Sequence, residues 1–263
     1  MNTPKSRDED VIPVDAMTPI VHGSTSEERI YRKKMLVIAC QVFGNLGFNE
    51  GSAGHITVRD PEYKDHFWIN PCRTSFELIR VDQLLLVNHQ GAIIEGEGLL
   101  NKAALSIHRE IYNTRPDVIS AAHAHSLYGK AWSSHGRLID PLTQDACVFY
   151  NDHTLFDEYT GPVLDDSEAK RICATLGQSK ACILKNHGLL TVGSTVESAA
   201  WWLIAMERCC QVQLLAESTG TPVLIAPEVA TKTREILGTE KMGWFNFQPL
   251  SDQILYDKSG LLN

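Results

Sequence analysis

Two histidines with one residue between them, His123 and His125 in the segment VISAAHAHS, are the first residues whose spacing suggests chemistry. The segment is built of small and β-branched residues and reads as extended. Alternate residues of a strand project from one face with Cα atoms about 7 Å apart, so two imidazoles placed this way can converge on a single cation. A third histidine, His187 in Lys185-Asn186-His187-Gly188, follows a second apolar segment, Cys182 to Leu184. It is expected at a strand end, where a loop presents side chains to a cleft. Three histidine ligands with one position left open is the usual form of a catalytic zinc site, and a neutral imidazole equally suits iron, manganese or cobalt. The same spacing also fits a plainer role, a histidine buried in a strand and hydrogen-bonded to backbone.

The elements that must position these residues can be read from the pattern. Ser24 followed by Glu27 is a capping box that opens a helix, whose apolar stripe runs through Ile30, Leu36, Ile38, Val42, Phe43 and Leu46 to Gly47. His55 to Val58 and Phe67 to Asn70, separated by Asp60-Pro61-Glu62, read as two strands of a hairpin or meander. Val81 to Val87 reads as a helical turn running into a strand, with Ala92 to Glu95 returning after Gln90-Gly91. Asn101 caps a helix marked by Leu105, His108 and Ile111 and ended by Pro116. After the strand Val118 to His125 comes a helix capped by Ser126, then a helix from Glu168 to Leu176. Ala181 to Lys185 and Leu189 to Val192 are strands around the turn Asn186-His187-Gly188. Thr195 to Ser218 is the longest helix and Pro227 to Leu237 a shorter one. Strands and helices interleave with short connections, so the class is α/β or α+β with a layered sheet. Residues 1–23 are expected to form a flexible arm, 24–240 one domain, and 241–263 a tail with a short amphipathic helix that packs on the domain or on a neighbouring subunit.

Composition narrows the function classes. At 263 residues one large domain is expected, and 43% hydrophobic with 21% charged residues is the balance of a globular chain. The longest clean apolar run, Ala199 to Met206, is far short of the roughly 20 residues of a bilayer span, so no membrane association is expected. The charged stretch MNTPKSRDEDVIPV has no apolar core and does not read as a secretory signal. Seven cysteines, an odd number without a C-x-x-C pair, read as reduced thiols and a cytoplasmic location. A net charge of -8 argues against a nucleic-acid partner. Of the ten histidines, His22, His66, His89, His135 and His153 are assigned to the surface or loops, with Asp152 beside His153.

From about residue 30 to 218 the segments AGHITVR, FWINP, RPDVISAAHAHS, LTQDA and LKNHGLLTVG, in this order and spacing, resemble the class II aldolase/adducin family. The resemblance implies a three-layer α/β/α domain around a central, mainly antiparallel sheet, assembled as a homotetramer with active sites at subunit boundaries. It also implies a divalent metal (Zn, Mn, Co or Fe) held by His123, His125 and His187.

The chain departs from the sugar-phosphate aldolases of that family at informative places. Their Gly-Asn pair in the first β segment corresponds to Gly54-His55, their phosphate-cradling Thr-Gly to Cys72-Arg73, and their Ser-Ser-Glu to Lys102, Ala103 and Ala104. The carboxylate that shuttles the enolising proton is therefore missing at Ala104, unless Glu95 or Glu97 reaches in from the preceding loop. His55, Arg73 and Lys102 bring cations or potential cations instead, which suits a substrate bearing a carboxylate; pairing of Arg73 and Lys102 with acidic neighbours is the plainer alternative. Gln144 and Asp145 occupy the stretch from which the aldolases send a catalytic tyrosine into the neighbouring site, with Tyr150 six residues beyond Gln144. The expected activity is a metal-dependent carbon–carbon lyase acting on a small, non-phosphorylated hydroxy, keto or aromatic acid. Decarboxylation is expected first and retro-aldol cleavage next, through an enolate stabilised by the metal as Lewis acid. His108 or Asp145 would return the proton, and His55, Arg73, Lys102 and Gln144 would bind substrate. A non-haem iron(II) oxygenase performing oxidative decarboxylation and a non-catalytic adducin-like scaffold are the alternatives.

Overall fold

The computed structural model describes residues 18–162, 166–258 and 260–261. Most of the expected N-terminal arm, residues 1–17, lies outside these. The chain begins with α1 (Thr25–Asn45), β1 (His55–Arg59), β2 (His66–Ile69), β3 (Leu85–Asn88) and β4 (Ile93–Glu95). It continues through α2 (Lys102–Thr114), β5 (Ser120–Ala124), α3 (Leu127–Ser133), α4 (Gln144–Cys147), β6 (His153–Phe156) and α5 (Asp166–Leu176). The last elements are β7 (Ala181–Leu184), β8 (Gly188–Gly193), α6 (Val196–Ser218), α7 (Pro227–Leu237) and α8 (Glu240–Asp257).

Eight strands form one sheet in the order β4-β3-β2-β1-β5-β8-β7-β6. Where a mainly antiparallel sheet was expected, the sheet is mixed: β6 runs parallel to β7 at one edge, while the other neighbouring pairs are antiparallel. The parallel pair requires a crossover, and α5 supplies it. Side chains alternate between two cores. Ile56, Val58, Ala122, Ala124, Ile183 and Leu189 pack with α1, α6 and α8 on one face. Ala121, Cys182, Leu190 and Val192 pack with α2 and α5 on the other. With helices on both faces, β5 is buried along its whole length, which explains why Ser120-Ala121-Ala122 is built of small residues.

Local sequence explains the ends of several elements and corrects others. Ser24 accepts from the Glu27 backbone N–H, but the Glu27 carboxylate accepts from Gly23 rather than from Ser24, so only half of the capping box forms. Asn101 caps α2 by accepting from Ala103 and Ala104. Ser126 stands at the N-cap of α3 without accepting a cap bond. The Glu207 carboxylate, reaching across from α6, accepts from Ser126 Oγ (2.5 Å), Tyr128 N (2.9 Å) and Gly129 N (2.6 Å) instead. The C-terminal stretch expected as a short helix is an 18-residue one, α8, lying against α6 and α1.

His153, expected at the surface, is buried at the start of β6. Its Nδ1 donates to the Phe149 carbonyl (2.6 Å) and its Nε2 accepts from Ile139 N (2.9 Å), so the ring pins two loops together. His22, His66 and His89 are half-buried, and His135 alone of the five is exposed. No described helix is long and apolar enough to cross a membrane.

Candidate metal centre and its cleft

β1 and β5 are adjacent at the middle of the sheet, and their register sets His55 directly opposite His123. Strand alternation puts both, with Thr57, on the face covered by α2. His125 follows the last residue of β5, and His187 sits in the turn between β7 and β8. That turn explains its own sequence. Asn186 has φ 57°, a left-handed conformation that asparagine tolerates. At Gly188 a Cβ would stand 2.7 Å from the Ala124 carbonyl oxygen and 3.6 Å from His123 Cε1, so only glycine lets β8 approach β5 here.

The three histidines expected as ligands do converge. Their rings lie 4.8–5.0 Å apart between centroids, and one ring nitrogen from each falls within 4.8 Å of the other two. His125 Nε2 and His187 Nε2 are 3.0 Å apart, near the separation of about 3.3 Å for two nitrogens bound tetrahedrally at the usual zinc–nitrogen length. His123 Nδ1 faces the Leu189 carbonyl at 2.8 Å. A carbonyl only accepts, so Nδ1 carries the proton and Nε2 keeps its lone pair for a metal. Burial lowers all three below the ordinary imidazole value, His187 to about 4, which keeps them neutral as ligation requires. The donor set therefore fits a divalent cation.

A cleft of about 510 Å³ opens beside these rings, lined among others by His55, Cys72, Lys102 and Tyr159. No Asp or Glu lines it among the described residues. Ala104 is buried in the core, and Glu95 is drawn away by Arg29 and Lys33. Close enough to His125 to act on it electrostatically, Lys130 and Glu50 form an ion pair of 2.7 Å, and the hydrogen bond and charge of Lys130 hold the Glu50 carboxyl below its usual value.

Of the other residues expected in the site, the structure brings His55 and Lys102 to the cleft and leaves three elsewhere. Arg73 sits at an exposed turn with φ 67°, next to Cys72 but outside the cleft lining. Gln144 and Asp145 line a separate cleft with Trp201, Arg208 and Met242, away from the histidines of their own chain. His108 is a correction of role. It is fully buried behind His55, with Nε2 2.7 Å from His55 Nδ1 and Nδ1 2.5 Å from Thr57 Oγ1, and burial lowers it to about 3. Both ring nitrogens are engaged, so it has none to offer a substrate. The sequence reading missed Thr57, Tyr112 and Tyr159. The first two carried a signal: Thr57 is two residues from His55 on a strand, and Tyr112 is four from His108 on a helix. Tyr159, on a loop, carried none.

The comparisons with known proteins agree with this geometry. Residues 34–214 match the model of the class II aldolase and adducin N-terminal domain. The decarboxylase NovR of Streptomyces niveus is 44% identical over 239 residues, 90% of this chain and 88% of that protein. A protein of Streptomyces roseochromogenus subsp. oscitans, named 4-hydroxy-3-prenylphenylpyruvate oxygenase/4-hydroxy-3-prenylbenzoate synthase, is 44% identical over 90% of this chain and 86% of its own. The solved L-fuculose 1-phosphate aldolase of Glaciozyma antarctica PI12 is 40% identical and superposes with a TM-score of 0.89, covering 95% of this chain and 98% of that one. With its three converging histidines on this sheet, the chain belongs to the class II aldolase and adducin family and is an enzyme of lyase type.

Proposed function

We propose that the protein is a metal-dependent decarboxylase of a small, non-phosphorylated hydroxy, keto or aromatic acid. The carrying observation is the cleft itself, which sets three neutral imidazoles beside the Lys102 cation with no carboxylate among the described lining residues. Such a cleft attracts an anionic substrate, and its described lining offers no carboxylate to move a carbon-bound proton as an aldolase's base does. Loss of carbon dioxide needs no such base, because the carbon–carbon bond electrons remain with the substrate as an enolate. Bound by His123, His125 and His187, a divalent cation supplies a Lewis acid for that developing oxygen charge. Lys102 holds the substrate carboxylate, and the Tyr159 phenol or the Lys102 ammonium returns a proton to carbon, a role His108 cannot fill directly. The name of the NovR relative supports the reaction class.

A second reading, oxidative decarboxylation with iron(II) and dioxygen, is favoured by the name of the Streptomyces roseochromogenus relative. Protein reconstituted anaerobically with zinc, manganese, cobalt or iron is assayed against a panel of hydroxy, keto and aromatic acids, with L-fuculose 1-phosphate included. Carbon dioxide release without oxygen is the expected result. Release that requires iron and consumes oxygen selects the second reading, and cleavage of the sugar phosphate alone refutes both. We also propose a homotetramer in which Gln144 and Asp145 face a neighbouring site; a monomer by light scattering would overturn it.

A further inference from the structure

His55 lies beside the three ligand histidines, its ring 4.9 Å from that of His123, and so could be a fourth ligand, a base, or a hydrogen-bond donor. The choice depends on which ring nitrogen carries its proton, and a buried chain of hydrogen bonds determines that. His55 Nδ1 meets His108 Nε2 at 2.7 Å, His108 Nδ1 meets Thr57 Oγ1 at 2.5 Å, and Thr57 Oγ1 meets the Tyr112 hydroxyl at 2.7 Å. All four side chains are buried, and among the described residues no carboxylate hydrogen-bonds to either imidazole, so neither ring has a partner for a buried charge and each carries one N–H.

Each link has one proton, so the chain has only two polarities. In the first, Tyr112 donates to Thr57, Thr57 to His108 Nδ1, and His108 Nε2–H to His55 Nδ1, which leaves the His55 proton on Nε2. In the second, every bond reverses, and the Tyr112 proton must go to its remaining acceptor, the Ile119 carbonyl, at 3.4 Å. That length is past the ordinary range for an O–H donor. The same carbonyl already accepts from the Arg59 backbone N–H at 2.8 Å, so the first polarity leaves it paired. Both polarities use the same three short bonds, but the first leaves no buried donor unpaired, whereas the second leaves the Tyr112 O–H with only the long contact.

We infer that the His108–Thr57–Tyr112 chain fixes the His55 ring proton on Nε2. His55 is thus a preset hydrogen-bond donor toward the cleft it lines, neither a fourth metal ligand nor a base. His108, Thr57 and Tyr112 are positioning residues. On the proposed reaction, the acceptor is a substrate oxygen that gains charge as the enolate forms, where a donor already oriented costs no reorganisation. That identification rests on the proposed function; the tautomer does not.

Nuclear magnetic resonance of zinc-loaded protein labelled with [¹³C,¹⁵N]-histidine tests the inference, with the His55 and His108 signals assigned by their loss in His55→Gln and His108→Gln. Both rings are expected as the Nε2–H tautomer, and a His55 ring protonated at Nδ1 overturns the proposal. In Thr57→Val the lost hydroxyl should reduce the Nε2–H to Nδ1–H ratio of these rings by roughly tenfold; an unchanged ratio removes Thr57 from the chain. His55→Gln should keep one zinc per chain by elemental analysis, and loss of zinc would make His55 a ligand. None of these readouts uses turnover, so failure of the decarboxylase assay leaves the tautomer standing, and an Nδ1–H ring refutes the tautomer whatever the substrate proves to be.

Discussion

Replacing Gly188 with alanine probes whether the Asn186-His187-Gly188 turn holds the metal ligands in place. The added methyl would stand 2.7 Å from the Ala124 carbonyl oxygen, against an ordinary carbon–oxygen approach of about 3.3 Å. β8 must therefore retreat from β5 by about 0.6 Å at that point. His187 precedes the methyl in sequence, and Leu189, whose carbonyl orients His123, follows it. A shift of that size exceeds the tolerance of about 0.2 Å in metal–ligand distance, and it disturbs the bond that fixes the His123 tautomer. Zinc affinity should fall about 10- to 100-fold, and overpacking should cost the metal-free fold about 1–3 kcal/mol. Competition with a chromophoric chelator measures the first, and urea unfolding of the metal-free protein the second. A variant that is destabilised yet binds zinc with wild-type affinity would refute the claim that this turn sets the ligand geometry.

Lys102→Gln should raise KM for an acid substrate about tenfold, a loss of about 1.4 kcal/mol, with little change for the corresponding amide, whereas Arg73→Gly should change KM little; the reverse order in steady-state kinetics would put Arg73 in the cleft. Glu207→Gln leaves an amide with one acceptor oxygen where three donors converge, so urea unfolding should show a loss of about 2–4 kcal/mol; a loss below about 1 kcal/mol would show that water replaces the missing acceptor. Burial lowers His153 below its ordinary value, and its Nε2 must stay unprotonated to accept from Ile139. The unfolded chain therefore binds the extra proton first, and stability falls as pH drops below about 6.5. His153→Gln should be less stable at pH 7.5 but lose less between pH 7.5 and 5.5 than the parent protein, and equal slopes in parallel denaturation series would argue against the assignment.

The parts of the site legible in the sequence are those set by period. His123 and His125 stood out because a strand repeats every two residues, and His187 because it follows an apolar strand and precedes a glycine. Asn101 as the cap of α2 was readable because its side chain acts on its own neighbours. What depended on distant partners was not readable. Ser126 is the right residue type for an N-cap, but a carboxylate 81 residues away does the capping. His153 looks like a loop residue until Ile139 and Phe149 are seen to close around it. Arg73 was assigned to the site by its correspondence with the aldolases' phosphate-cradling Thr-Gly and by its charge, and a left-handed turn leaves it exposed outside the cleft lining. The parallel β6–β7 edge is likewise invisible to a pattern that registers strands but not their direction.

His55 and His123 show how far residue type falls short of role. They face one another across β1 and β5, on one side of the sheet, both buried and both neutral. Nothing about the imidazole itself distinguishes them. The distinction lies behind each ring, at Nδ1. Behind His123 is a backbone carbonyl, which cannot donate, so the proton is held at Nδ1 and the Nε2 lone pair is free for a cation. Behind His55 is His108, itself supplied by two hydroxyls, and the proton is forced to the other nitrogen. One ring is left with a lone pair and its neighbour with an N–H, so a divalent cation held by the three histidines would stand beside a positively polarised N–H without competing for the same electron pair. On the proposed reaction, a cleft built in this way would stabilise negative charge on oxygen from two directions, which loss of carbon dioxide requires and a proton-abstracting carboxylate would oppose.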